Sequence, residues 1–280
     1  MPIQSEQYID ISGSELYVKR VGKGRPIFFL HGGPGSEHRF FLPYVLPLAE
    51  QFELIFYDQR GCGKSIASKK TTYSMEDEIN NLEYIRSSLG LDNILLFGES
   101  WGSMLALMYA ATFPEHVNKI LLTAAIGITS EGLKVFEKEL DKRLSKKDKS
   151  NLSRLEKGLN KGTTCMDEIL NILDPYYVYN KEKLRKKQKI SIVQEVNHTI
   201  GKDIESNYNL TSKLDVLSRI PILVAQGEYD ILSPALINKL MINDLPHVTL
   251  TEVKDAGHWT VIEQAEEMMR ITEEFFNLSN

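Results

Sequence analysis

Residues 93–113 read NILLFGESWGSMLALMYAATF. The opening NILLF is a short apolar run without polar alternation, the pattern of a strand covered on both faces. SMLALMYAATF, closed by Pro114, is an apolar stretch of helical length. Between them lies Gly98-Glu99-Ser100-Trp101-Gly102, a match to G-x-S-x-G. That pattern carries chemistry only between a strand and a helix, because a nucleophilic serine must project from a strained strand-to-helix turn. Gly98 and Gly102 remove the Cβ atoms that would collide where the chain doubles back. An ordinary turn with a helix-capping serine is the competing reading, and the flanking elements favour the first.

Outward from this segment the same rhythm repeats. Upstream, EQYIDI and ELYVKRV alternate around Ser12-Gly13-Ser14, which predicts a hairpin. The buried run IFFL ends in the glycine loop HGGPG, and FELIFY ends in DQRGCGKS. Ser74 then precedes the helical stretch MEDEINNLEYIRSSLG, with Asp77 as a capping-box variant and Gly90 at its end. Downstream, VNKILLTAA reads as a further strand. Strand, loop and helix in alternation predict an α/β fold built on a doubly wound, mostly parallel sheet with helices on both faces.

After about Ile126 the rhythm breaks. To about Leu217 the chain is polar, lysine-rich and helical, and its charge run reads as solvated helix faces and a loop. Strands resume at ILVAQG and VTLTEV, and EQAEEMMRITEEFFNL forms a final amphipathic helix. The expected organisation is a core of residues 1–126 and 218–280 with a helical cap, residues 127–217, inserted after the sixth strand.

A neutral serine hydroxyl is a poor nucleophile, so it needs a base, and the base needs a carboxylate to orient it. Asp230, in GEYD directly after ILVAQ, and His258, in DAGHW directly after VTLTEV, follow late strands in the order serine, acid, histidine. Glu228 is the nearest rival acid, and Asp255 reads as a loop-shaping residue. His31 is expected to order the glycine loop, whereas His38, His116, His198 and His247 are expected on the surface or in the cap. Negative charge developing on an attacked carbonyl needs two fixed N–H donors. Trp101, after the serine, and Gly33, in HGGPG, are the candidates for this oxyanion hole. As a phosphate cradle HGGPG lacks both the lysine and the helix start.

Taken together, HGGPG, DQRGCGKS, GESWGS, GEYD and GHW occur in the order and contexts of the proline iminopeptidase-like α/β hydrolases, and the chain resembles that family over most of the core. The resemblance implies the α/β-hydrolase fold and an acyl-enzyme mechanism. It implies as leading activity an aminopeptidase releasing N-terminal proline or small apolar residues. An esterase, lactonase or amidase for other small acyl substrates is the alternative, and a non-catalytic binding protein of the same fold is a distant third. In the peptidases cap glutamates hold the substrate ammonium. Gln194-Glu195-Val196-Asn197-His198 resembles the family's cap segment ending in Glu-Asn-His, which makes Glu195 the candidate anchor and Glu205 a poorer one. Where the family commonly has glycine before the serine, this chain has Glu99, which either faces away from the pocket or biases it toward cations. Tyr176-Tyr177-Val178-Tyr179 reads as the cap's own small core, with a pocket wall as the alternative. Asp58 and Arg60 are expected to form a structural ion pair.

Composition narrows the setting. The 280 residues are 42% hydrophobic and 25% charged, near the averages for globular proteins. A formal net charge of −5 gives no general attraction to nucleic acid or an anionic membrane. Two distant cysteines, Cys62 and Cys165, make no disulfide framework or metal-ligand spacing. The N-terminus lacks a basic and apolar leader pattern, and no run reaches membrane-spanning length. A cytoplasmic protein acting on a small peptide or acyl substrate, without metal or cofactor and without nucleic-acid or membrane partners, is expected.

Overall fold

The computed structural model describes residues 4–68, 72–159 and 161–278. The outermost residues of the expected core, 1–3 and 279–280, and Asn160 of the charge run lie outside them. The strands are β1 (Gln4–Ile11), β2 (Ser14–Gly22), β3 (Arg25–Leu30), β4 (Phe52–Tyr57), β5 (Ile94–Glu99), β6 (Val117–Thr123), β7 (Ile222–Gly227) and β8 (Thr249–Val253). They form one sheet in the order β1-β2-β4-β3-β5-β6-β7-β8. β1 and β2 are the expected hairpin, with Ser12 and Gly13 at positive φ in its turn. β2 meets β4 antiparallel, and all later pairings are parallel.

The unalternating strands are apolar because both faces of the sheet are covered. Phe28, Leu30, Ile94 and Leu96 pack on one side with α1 (Met75–Ser88) and α2 (Trp101–Thr112). Ile27, Phe29, Leu95 and Phe97 face the other side, under the C-terminal helix Ala265–Asn277 and its Met268, Ile271 and Phe276. Each such side chain contributes about 1.5–3 kcal/mol when fully buried. Ser74 caps α1 as its sequence predicts, accepting from the Asp77 N–H at 3.1 Å.

Helix α2 is buried from Trp101 through Ala111, which places the start of α2 at the centre of the sheet. Gly102 permits this docking. A Cβ on it would lie 1.9 Å from the Leu30 carbonyl oxygen and 3.0 Å from that of His31, both backbone atoms. Alanine is the better helix former by about 1 kcal/mol. The collision outweighs that gain, so Gly102→Ala is expected to lower stability by about 2–3 kcal/mol. The urea midpoint should fall with an unchanged slope; a midpoint at or above wild type would refute the close approach.

Between β6 and β7 the described chain adds α3 (Glu131–Arg143), α4 (Lys146–Leu159), α5 (Met166–Tyr177) and α6 (Gln194–Asn207). Leu152, Leu155 and Ile169 form a small separate cluster in α4 and α5. In α6, Val196, Ile200 and Ile204 join the main core. Several polar contacts fix these helices on the sheet's carboxyl edge. The Val193 N–H donates to the Gly35 carbonyl at 2.9 Å, and the Tyr208 hydroxyl to the Gly127 carbonyl at 2.8 Å. The Arg143 guanidinium donates to the carbonyls of Tyr229 and Asp230. No helix among the described residues is long and apolar enough to cross a membrane.

Candidate active site

Ser100 occupies the join of β5 and α2 with φ 52° and ψ −116°. A non-glycine residue in that region costs on the order of 1–3 kcal/mol. The turn is held by the Ser100 N–H donating to the Thr123 carbonyl at 3.1 Å and by the Ser103 N–H donating back to the Ser100 carbonyl at 2.8 Å. The strain keeps the serine side chain clear of both flanking elements.

Loops after β7 and β8 bring in the other two side chains. His258 Nε2 lies 3.1 Å from Ser100 Oγ, and its Nδ1 lies 2.9 Å from Asp230 Oδ1. Asp230, fully buried, also accepts from the Leu232 N–H at 3.2 Å and from Gln226 Nε2 at 2.7 Å. Those donors satisfy the carboxylate as an anion, which leaves the Nδ1–H to His258 and the acceptor lone pair to Nε2. Burial, the largest single influence on His258, disfavours its cation, but the charges of Asp230 and Glu99 outweigh it and raise the imidazole pKa. The line can therefore pass a proton from hydroxyl to imidazole and stabilise the resulting cation. Glu228 does not compete, for it pairs with Lys254 at 3.6 Å.

These groups open onto a cavity of about 450 Å³ between sheet edge and cap, with Gly33, Ser100, Trp101 and His258 on its wall. Gly33 lies on the cavity wall with φ +46°, a conformation that glycine adopts most readily. Trp101 is the first residue of α2, so its N–H has no acceptor within the helix. Its indole N–H donates to Gln59 Oε1 at 2.9 Å and ties the turn to the loop after β4. His31, buried and pushed toward its neutral form by that burial, accepts from the Gln59 N–H at 3.3 Å, bracing the glycine loop as expected.

Several sequence expectations need correction. Glu195 is exposed in the first turn of α6 and is not on the cavity wall. On α6 the wall is made by Asn197, His198, Gly201, Lys202, Ile204 and Glu205; Glu195 comes before all of them, as the second residue of the helix. Glu205, the poorer guess, does face the cavity, together with Glu137 of α3. Burial and the nearby Glu205 raise the Glu137 pKa. Tyr177 belongs to the cavity wall and not to a cap core, stacking at 5.4 Å on Trp259 and 6.0 Å on Phe136. Asp58 and Arg60 are not paired with each other. Asp58 takes both the backbone N–H and Nδ1 of His38, at 2.8 and 2.7 Å, while Arg60 bonds Asn81 at 2.5 Å. His38 is thus buried in the core, not on the surface. Polar groups in DQRG and HGGPG must be satisfied when the two loops pack together, and that tertiary pairing leaves no local signal. Asn197 was also missed as a site residue. It donates to the Pro34 carbonyl at 2.8 Å and fastens the glycine loop to the cap.

Glu37, His38 and Asp58 are the one group among the described residues whose ligand atoms lie close enough for a metal ion. They already serve protein partners, Asp58 through His38 and the Lys64 N–H, and Glu37 through Arg39.

A family profile for the alpha/beta hydrolase fold matches residues 25–265. Proline iminopeptidase of Clostridioides difficile is 27% identical, with 99% of each chain covered. That of Lactobacillus delbrueckii subsp. bulgaricus is 28% identical, with 93% of each chain covered. Among solved structures, an alpha/beta fold family hydrolase from Bacillus anthracis superposes with a TM-score of 0.79 at 23% identity, covering 97% of this chain and 99% of that one.

Proposed function

The chain belongs to the alpha/beta hydrolase fold family, and from that premise we propose that it is a serine aminopeptidase releasing N-terminal proline or small apolar residues through an acyl-enzyme. The observation that carries this reading is the unbroken line Ser100–His258–Asp230, at 3.1 and 2.9 Å, whose Ser100 and His258 lie on the cavity wall. Ser100 Oγ attacks the scissile carbonyl while His258 Nε2 takes its proton, and the N–H groups of Gly33 and Trp101 receive the oxyanion. His258 then returns the proton to the departing amine. Water, deprotonated by the same imidazole, releases the acyl group and restores Ser100.

Peptidase over esterase chemistry is favoured by the proline iminopeptidase relatives and by the cavity's charge. Three carboxylates, Glu99, Glu137 and Glu205, line it beside Lys187 and Lys202, and Lys187 is already bonded to Asp174. A free substrate ammonium, desolvated there, needs such an anion. The reading includes a cytoplasmic setting, in keeping with the free thiols of Cys62 and Cys165, and no cofactor.

A panel of aminoacyl-naphthylamides, each with its N-acetylated counterpart, tests the reading. Turnover of the prolyl or alanyl compound is expected, with the blocked forms at least ~100-fold poorer in kcat/KM. Equal use of free and blocked substrates, or turnover of simple esters only, would replace the peptidase by a general acyl hydrolase.

A further inference from the structure

Glu99 is the residue that departs from the family pattern, and its placement is unusual. It ends β5, directly before the nucleophile, and is 3% exposed, yet its side chain reaches the cavity wall beside Ser100 and His258. Its carboxylate is packed against the glycine loop so closely that a Cβ on Gly32 would sit 2.0 Å from Oε2. The Gly32 N–H is directed at it. No lysine or arginine pairs with it among the described residues. Of the two lysines on the same wall, Lys187 is bonded to Asp174 at 2.5 Å, and Lys202 lies on α6 with no ion pair to Glu99. A buried carboxylate that faces a substrate cavity without a cationic partner is the place for a cation brought by the ligand.

Position then decides which cation. The carboxylate adjoins both the serine turn and the loop that carries Gly33, so it lies close to where the reacting carbonyl must sit. In an N-terminal residue the amine nitrogen is about 2.5 Å from the carbonyl carbon, one tetrahedral centre away. Glu137 and Glu205 also line the cavity, but from the inserted helices α3 and α6 and not from the serine turn.

We propose that Glu99 is the specificity residue of this site: the core-borne counter-ion for the substrate's protonated α-amine, doing beside the nucleophile what Glu195 was expected to do from the cap. The proposal rests on the aminopeptidase reading above. The groups facing Glu99 are His258 from the loop after β8, Asp230 from the loop after β7, Tyr177 from the end of α5, and the Gly32 N–H. Burial, with the repulsion of Asp230, raises the Glu99 pKa to about 7, although His258 pulls the other way. Without a bound cation Glu99 is therefore neutral on the acid side of neutrality and charged above it. An α-ammonium, with a pKa of about 8, supplies the partner that keeps it ionised.

The test compares kcat/KM for alanyl-naphthylamide and its N-acetyl form in wild type and in Glu99→Gln. Glutamine keeps an acceptor for the Gly32 N–H and removes only the charge. The expected result is a free-to-blocked ratio reduced roughly 10- to 100-fold in Glu99→Gln; any effect of the lost charge on His258 falls on both substrates alike and cancels from that ratio. In wild type the same ratio should rise with pH as Glu99 ionises and fall again above about pH 8 as the amine loses its proton. His258 acts on both substrates, so it cancels from the ratio. A wild-type preference that persists in Glu99→Gln would overturn the proposal and pass the anchor to Glu137 and Glu205, leaving the peptidase reading intact. No wild-type preference at all would overturn the peptidase reading itself. Equal loss on both substrates would make Glu99 part of the general machinery and not a specificity residue. Should the variant fail to fold, a wild-type ratio flat across pH 5–9 would refute the assignment.

Discussion

Ser100→Ala will abolish covalent labelling by a fluorophosphonate and reduce turnover by roughly 10⁴–10⁶, or about 5–8 kcal/mol of transition-state stabilisation. No neighbouring side chain can take over. Ser103, the next hydroxyl in the chain, is spent donating to the Ser100 carbonyl at 2.6 Å and is itself buried. The truncation removes one small polar atom from a cavity wall, and the turn is held by backbone bonds that alanine keeps. Alanine at positive φ carries about the same strain as serine, so the urea midpoint should move little. A folded alanine variant that retains even a hundredth of wild-type activity would remove Ser100 from the mechanism.

Asp230→Asn should cost about 10⁴ in kcat. The argument turns on hydrogen-bond counting around one carboxylate. Three donor groups converge on it: His258 Nδ1 and the Leu232 N–H on Oδ1, and Gln226 Nε2 on Oδ2. An asparagine amide has only one oxygen, so its NH₂ must confront a donor on one side. Gln226 cannot turn round to help, because its Nε2 also donates to the Leu232 carbonyl at 2.8 Å and its Oε1 accepts from the Ala125 N–H at 2.9 Å. The contact to Gln226, at 2.7 Å, is shorter than the 3.2 Å contact to Leu232. The NH₂ is accordingly driven toward Leu232 and His258. His258 then accepts at Nδ1 and carries its proton on Nε2, where it faces Ser100 and can no longer act as base. The counter-charge for the imidazolium is lost as well. A variant within tenfold of wild type on the same substrate would break the assignment of Asp230.

The fold and the convergence of Ser100, Asp230 and His258 were legible in the sequence because each is announced locally. Glycines flank Ser100 between an apolar strand and an apolar helix. Asp230 and His258 each follow a strand directly, so strand recognition alone sets their places at one sheet edge. What failed depended on neighbours brought in from elsewhere. His38 looked like a surface residue because nothing near it in sequence shows that Asp58, twenty positions on, would be its partner. Tyr177 was read as cap core for the same reason, since Trp259 and His258 arrive from the far end of the chain. Glu195 cannot be placed from sequence because nothing local shows where along α6 the cavity begins: the wall starts at Asn197, two residues further on. The cap is where side chains are chosen by contacts with the core, and its sequence carries the weakest pattern.

The inserted helices also hold the loops that carry His258 and Asp230. Tyr177, at the end of α5, accepts the His258 backbone N–H at 2.7 Å, and Arg143 of α3 holds the carbonyl of Asp230. Both tethers engage backbone atoms and fix the loops from which His258 and Asp230 are hung. Exchanging this insertion for that of another hydrolase, a natural route to new selectivity, would therefore not be a modular graft. The chimera would receive a foreign roof and lose two guy-ropes of the loops that carry His258 and Asp230, unless the donor segment brought equivalents of Arg143 and Tyr177 with it.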